Sequence, residues 1–361
     1  MHYKVDEEFR EHFKNLKQVF MYVINECNLN CPQCIYKPNN YFTIGKKEIG
    51  FKTAVYLIED FYEMGARKLS LLGGKYQGRE NLIADLIYEA KQIGYEYVRI
   101  DTNGTFSPEL LYNHRFHTID EISFSMDGYD RASSNFIRGD GVFEVETDNI
   151  RRAVELDYKA DITCCVYQEL LEKKEDGLYP MEKLIYLAAD MGVQRVNYHA
   201  LIKDGTPIDL WSSDLQVDVK TWIKVYDVMM RKITSGIYPI SVRIPKGFVT
   251  KEEFYRKPNY YGFCPAKLGE RVLVHPDGII RICSGLLGTA YGVADYVEDK
   301  ILWNRRKTNE LIDHDLDTCT WCTNRSKKDY GEYVPLCFSF KPKQDEYIYK
   351  NILQWEQKFN G

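Results

Sequence analysis

At 361 residues the chain is too long for one average domain, and its 44% apolar and 28% charged residues are those of a folded globular protein rather than a disordered or fibrous one. The balance of 48 basic against 53 acidic residues, a net charge of −5 with no long run of either sign, argues against nucleic acid as a main partner. The early apolar stretch Val19 to Ile24 is too short to span a bilayer, and nothing before it has the form of a signal peptide. The expectation is a cytoplasmic protein without a membrane partner, in which grouped cysteines bind metal or clusters more often than they form disulfides.

Residues 1–17 read as an N-terminal extension. From residue 18 to about 200, short β-branched or aromatic runs alternate with stretches of helical period, the signature of repeated βα units. The strands are predicted at 19–24, 68–72, 97–101, 121–125, 161–167 and 193–199. Helices are predicted at 51–64, where Ala54, Val55, Ile58 and Phe61 share a face, at 80–93 ending on Gly94, and at 143–156, 180–191 and 217–234. Parallel strands with right-handed crossovers close into a full or partial barrel, whose active site gathers at the C-terminal strand ends. We therefore assign residues 18–240 to an α/β barrel.

Beyond residue 240 the pattern changes. RVLVHPDGIIRIC (271–283) reads as a hairpin turning at His275, Pro276, Asp277 and Gly278, within a second region at 241–342, and Gln344 to Phe359 as a closing helix in 343–361.

The chemistry is concentrated just after the first strand. NECNLNCPQCIYKPN (25–39) places Cys27, Cys31 and Cys34 within eight positions, whereas zinc modules usually collect four ligands. A four-iron cluster held by three thiolates leaves one iron without a protein ligand and therefore open to a small molecule. Three buried or zinc-binding thiols are the alternative, with no nearby His or Cys to complete a tetrahedron. The spacing C-x-x-x-C-x-x-C resembles that of the radical SAM superfamily, in which it holds a [4Fe–4S] cluster whose open iron chelates the amine and carboxylate of S-adenosylmethionine. The resemblance implies a partial (β/α)6 TIM-like barrel.

It extends along the βα region. Gly73 and Gly74 in LLGGKYQG match the family's Gly-Gly-Glu segment, which approaches the cofactor amine, although Lys75 replaces the acidic residue. A lysine cannot accept a hydrogen bond from an ammonium, so Lys75 faces either a substrate carboxylate or a neighbouring acid. A plain tight turn remains the other reading of the glycines. Asn103 in DTNGT matches a polar position near the cofactor, and Ser125 and Asp127 in SFSMDG match the place that contacts the ribose hydroxyls. Arg138 in NFIRGDG matches an arginine that pairs with the cofactor carboxylate. Relatives carry an aromatic residue just before the third cysteine; here Gln33 stands there and Tyr36 follows, so the adenine contact is remodelled.

Cys264 and Cys283 embrace the hairpin, resembling the start of the SPASM/twitch extension, and with the close pair Cys319 and Cys322 they would complete one auxiliary [4Fe–4S] cluster. The same four cysteines also suit zinc. Cys337 is spare: it replaces one of these ligands, donates a hydrogen atom, or is simply buried. Adjacent Cys164 and Cys165 lie on the fifth strand, where alternation sends one inward; packing accounts for both, and a barrel-facing thiol also suits quenching of a substrate radical. His199, ending the sixth strand, is either structural or substrate-binding.

The resemblance implies an oxidoreductase or maturase that receives an electron from an external donor such as flavodoxin or ferredoxin. It would cleave S-adenosylmethionine to a 5′-deoxyadenosyl radical and take a hydrogen atom from an unactivated carbon. The substrate is expected to be a ribosomally made peptide that is crosslinked, epimerised or oxidised. A small sugar, aminocyclitol or related metabolite, dehydrogenated or epimerised, is the alternative, favoured by the short stretch before the first strand, which holds no appended leader-recognition domain. A non-enzymatic iron–sulfur electron carrier is a third reading, and it leaves Asn103, Ser125, Asp127 and Arg138 without a shared purpose.

Overall fold

The computed structural model describes residues 4–34, 48–201, 215–256, 268–284, 292–298, 300–304 and 330–336. All six expected strands form within a residue or two of their predicted limits. They are β2 (Gln18–Ile24), β3 (Lys68–Gly73), β4 (Tyr97–Thr102), β5 (Glu121–Ser125), β6 (Ala160–Val166) and β7 (Arg195–Ala200). Each is parallel to the next in chain order, which makes a partial (β/α)6 barrel. The crossover helices match as well: α2 (Phe51–Glu63), α3 (Glu80–Ile93), α5 (Val142–Glu155), α6 (Pro180–Asp190) and α7 (Val219–Thr234). Helix α2 buries Ala54, Leu57, Ile58 and Phe61, a one-faced set at helical spacing whose larger members contribute about 2 kcal/mol each by leaving water. Helix α3 stops at Gly94, whose φ of 116° suits a residue without a Cβ.

Between β4 and β5 the connection is made by two 3-10 turns, Pro108–Tyr112 and Phe116–Thr118. An additional short helix, α4 (Arg131–Arg138), follows β5; Asp130 caps it through the Ser133 amide, and Ser133 answers with its own side chain. A seventh parallel strand, β8 (Ser241–Arg243), extends the arc beyond β7.

The hairpin forms as expected from β10 (Arg271–Val274) and β11 (Ile279–Arg281). Its first strand adds in parallel to β2, with Arg271 opposite Gln18. Strands β12 (Ala294–Val297) and β13 (Lys300–Trp303) continue antiparallel, and β1 (Lys4–Val5) closes that edge beside β13. Barrel and hairpin thus share one sheet of twelve strands among the described residues. Helix α1 (Glu7–His12) follows β1 and buries Phe9, which lies against Phe13, Phe61 and Trp303. A separate two-stranded sheet pairs β9 (Phe248–Thr250) with β14 (Tyr333–Pro335), and α8 (Lys251–Arg256) follows β9. The expected closing helix lies outside the described residues. Among the described residues no helix is long and apolar enough to cross a membrane.

Candidate functional site

Alternation along the parallel strands sends one set of side chains toward the helices and the other into the barrel. On β6, Ile162, Cys164 and Val166 join the apolar core, which leaves Asp161, Thr163 and Cys165 inside. The inner positions are strongly polar. Arg99 on β4 pairs with Asp101 at 2.6 Å and with Glu121 on β5 at 3.3 Å; Arg195 on β7 meets Glu121 at 2.7 Å and also pairs with Asp161. Asn197 donates to Asp161 at 2.9 Å, and Ser123 and Thr163 share a hydrogen bond of 3.1 Å. Burial raises the carboxyls of Asp101 and Glu121, whereas for Asp161 burial is outweighed by the guanidiniums of Arg195 and Arg99, which bring it down.

Above this charged floor, at the C-terminal strand ends, lies the cysteine loop. Cys27, Cys31 and Cys34 line one cavity of about 440 Å3 together with Glu26, Leu29, Asn30 and Lys75. The loop reaches this place because β3 ends in Gly73-Gly74. A Cβ on Gly74 would stand 2.3 Å from the Glu26 carbonyl and 2.6 Å from Cys27 Cβ, closer than any side chain tolerates. Gly74 therefore admits the cysteine backbone, a reason beyond a plain turn. Its carbonyl accepts from the Cys27 thiol at 3.3 Å and from Asn103 Nδ2 at 2.8 Å. The same Asn103 amide donates to Asn28 Oδ1 at 3.0 Å and lies 3.8 Å from Cys27 Sγ, while the Leu29 amide donates to that sulfur at 3.4 Å. These contacts fix the Cys27 sulfur between the ends of β3 and β4.

A second tie runs through Asp127, which is fully buried. Its Oδ2 accepts from Gln33 Nε2, inside the cysteine loop, at 2.6 Å, and its Oδ1 accepts from the Cys165 amide on β6 at 2.6 Å. Arg138 Nε, on α4, stands 2.7 Å from Oδ2 in a charge contact without hydrogen-bond alignment. Asp127 thus locks the loop, one strand end and one helix together. The structure gives Asp127 and Arg138 to each other, whereas the resemblance assigns them to the ribose and the carboxylate of the cofactor. Gln33, the departure from the family pattern, has its own use here as the loop's anchor to Asp127.

Burial raises Cys31 to about 11, Arg138 opposing and Asp127 adding, so a metal must displace a proton there. Burial also takes Cys165 to about 12; it faces Asp127, Arg138, Cys34 and Cys31 and is the barrel-facing member of its pair, while Cys164 is wholly in the core. His199, opposite Cys165 in register, is lowered by burial to about 4 and is neutral at ordinary pH. Ser125 ends β5 beside Thr163, at the barrel mouth. Sequence reasoning missed Glu146 on α5, which is fully buried against Arg138 with neither carboxyl oxygen hydrogen-bonded, and whose carboxyl burial pushes well up. The only signal was a lone acid on the apolar face of its helix.

Of the second cysteine group, Cys283 is described. Tyr22, stacked on His275 at 4.2 Å, is raised by burial with contributions from Asp101, Cys283 and Cys34, so one thiol of each group lies within electrostatic reach of the same ring. Cys264, Cys319, Cys322, Cys337 and Tyr36 lie outside the described residues. No group of three or more His, Cys, Asp or Glu among the described residues is arranged around a single metal ion. The three loop thiols line a cavity instead, and such a donor set fits a multi-iron cluster that leaves one iron free.

A parallel barrel with an open three-thiol loop after its first strand defines a class of enzymes that work with a three-cysteine [4Fe–4S] cluster and S-adenosylmethionine. The Radical SAM superfamily profile matches residues 21–176, and this part of the chain is a radical SAM domain. Among curated proteins, GTP 3',8-cyclase of Haemophilus influenzae (strain 86-028NP) is 26% identical over 155 residues, 42% of this chain and 45% of that protein. The enzyme of the same name from Lactiplantibacillus plantarum is 27% identical over 138 residues, 38% of this chain and 41% of its own. The chain thus spans less than half the length of the curated relatives it matches. Among solved structures, Streptococcus suis SuiB bound to precursor peptide SuiA superposes with a TM-score of 0.61 at 15% identity, covering 81% of this chain and 65% of that one. Native anSMEcpe with bound AdoMet and Kp18Cys peptide gives 0.58 at 14%, covering 95% and 97%. At such identities the likeness is one of fold.

Proposed function

We propose that this radical SAM enzyme removes a hydrogen atom from an unactivated carbon of a peptide, leading to a crosslink, an inverted stereocentre or an oxidised residue. The observation that carries the reading is the convergence of Cys27, Cys31 and Cys34 on one cavity at the mouth of a parallel barrel. When bound, the cluster and S-adenosylmethionine supply the electron and the organic radical that takes the hydrogen. The chain's own residues do the rest. Gly74 and Asn103 seat Cys27, and Asp127 holds the loop to β6 through Gln33. The charged floor of Arg99, Asp101, Glu121, Asp161 and Arg195 receives a polar group of the substrate. The peptide assignment is supported by solved structures of like fold bound to a precursor peptide and to the Kp18Cys peptide.

An auxiliary [4Fe–4S] cluster on Cys264, Cys283, Cys319 and Cys322, with Cys337 in reserve, belongs to the same proposal, as does reduction by an external flavodoxin or ferredoxin. The second region, 241–342, would carry that cluster. A small polar metabolite is the second reading; the five charged side chains inside the barrel favour it, and the curated relatives act, by name, on GTP.

Anaerobic reconstitution tests the cluster count: about eight irons per chain support two four-iron clusters, and about four remove the auxiliary one. Incubation with peptides encoded beside the gene, deuterated at side-chain carbons, should move deuterium into 5′-deoxyadenosine and change the peptide mass. Deuterium transfer from GTP or a sugar, with none from peptide, would replace the peptide reading.

A further inference from the structure

We infer that Lys75 is the cation that binds the carboxylate of S-adenosylmethionine in this chain. The inference rests on the radical SAM reading and concerns a residue at which the chain departs from the family pattern. Lys75 lines the same cavity as the three thiols. Its backbone is held on both sides. Before it, the Gly74 carbonyl takes the Cys27 thiol and the Asn103 amide; after it, the Tyr76 hydroxyl, buried, lies 3.0 Å from the Leu71 carbonyl and 2.9 Å from the Asp101 carbonyl. The stem therefore starts from a fixed point at the cavity wall. No hydrogen bond or ion pair among the described residues engages its ammonium.

The arginine matched to this task is not available in the same way. Arg138, its side chain only 10% exposed, is committed to Asp127 at 2.7 Å, and freeing it would leave a buried carboxylate facing only neutral donors. An amino acid bound in the cavity presents one anionic group and one ammonium. Lys75 offers three donors and a full charge to the first and repels the second, so it orients the ligand as well as holding it. Glu26, also on the cavity wall, suits the ammonium end.

The test uses the anaerobically reconstituted full chain and equilibrium binding of S-adenosylmethionine and of its decarboxylated analogue, with variants compared at equal iron content. Lys75→Met should weaken S-adenosylmethionine roughly tenfold, the size of one charge-assisted contact, while the analogue binds within about twofold of wild type. Lys75→Arg should restore most of the difference. Equal weakening of both ligands, or no weakening of either, overturns the assignment. A wild-type holoenzyme that binds neither ligand overturns this inference together with the superfamily reading beneath it.

Discussion

Arg138 Nε and Asp127 Oδ2 stand 2.7 Å apart, with Asp127 fully buried and the Arg138 side chain 10% exposed. The same carboxylate holds Gln33 and the Cys165 amide, so one ion pair fixes the distance between the cysteine loop and the fifth barrel strand. Breaking it leaves an unpaired guanidinium in the interior. Asp127→Ala should therefore cost about 3–5 kcal/mol in denaturant unfolding. Asp127→Asn keeps the shape but not the charge, and should lower iron uptake more than it lowers stability, because Gln33 loses its anchor. Iron retention equal to wild type in Asp127→Asn would show that the loop does not depend on this tie.

Gly74→Ala gives a sharper local test. The added methyl collides with the Glu26 carbonyl and with Cys27 itself, so the loop must move away while the strands stay in place. The expected cost is about 1–3 kcal/mol, with loss of iron and no change in the circular dichroism of the barrel. Iron content unchanged in this variant would contradict the packing argument.

Two titratable groups give stability opposite dependences on pH. His199 titrates at about 4 when folded against an ordinary 6.5, so the stability tied to its neutral form is complete above 6.5 and is lost as pH falls toward 4. Replacing it with Asn should flatten that acid limb, by up to about 3 kcal/mol. Glu146 runs the other way: its raised carboxyl gives stability that is present below 4.5 and lost as pH rises through its folded value. Glu146→Gln should raise the melting temperature at pH 7 by a few degrees and leave it unchanged near pH 4. Melting curves across pH 4–8 check both signs.

The barrel was legible because its signals are local. Each strand run and each helical face, such as Ala54, Ile58 and Phe61, declares itself within a dozen residues, and the hairpin turn at His275–Gly278 does the same. The parallel addition of Arg271–Val274 to Gln18–Ile24 joins positions some 250 residues apart, and no local pattern encodes it. The three-residue strand Ser241–Arg243 is too short to show a period. Within the site, the cysteine spacing and the Gly-Gly pair were plain, because sulfur ligation and close backbone approach each demand particular residues. The partnership of Asp127 with Arg138 was hidden, because a carboxylate at a strand end reads equally well as a ligand contact or as an internal counter-ion. Gln33 was visible only as a departure, and its partner lies 94 positions away.

The proposal beneath these predictions is that Cys27, Cys31 and Cys34 hold a cluster with one iron left open for S-adenosylmethionine. Its most direct test is 5′-deoxyadenosine release by the anaerobically reconstituted, reduced protein, measured beside the Cys27→Ala/Cys31→Ala/Cys34→Ala variant. Release is expected from the wild-type protein and none from the triple variant, at similar circular dichroism. Release that survives loss of all three thiols, or a wild-type protein whose loop takes up a single zinc ion and no iron, would contradict it.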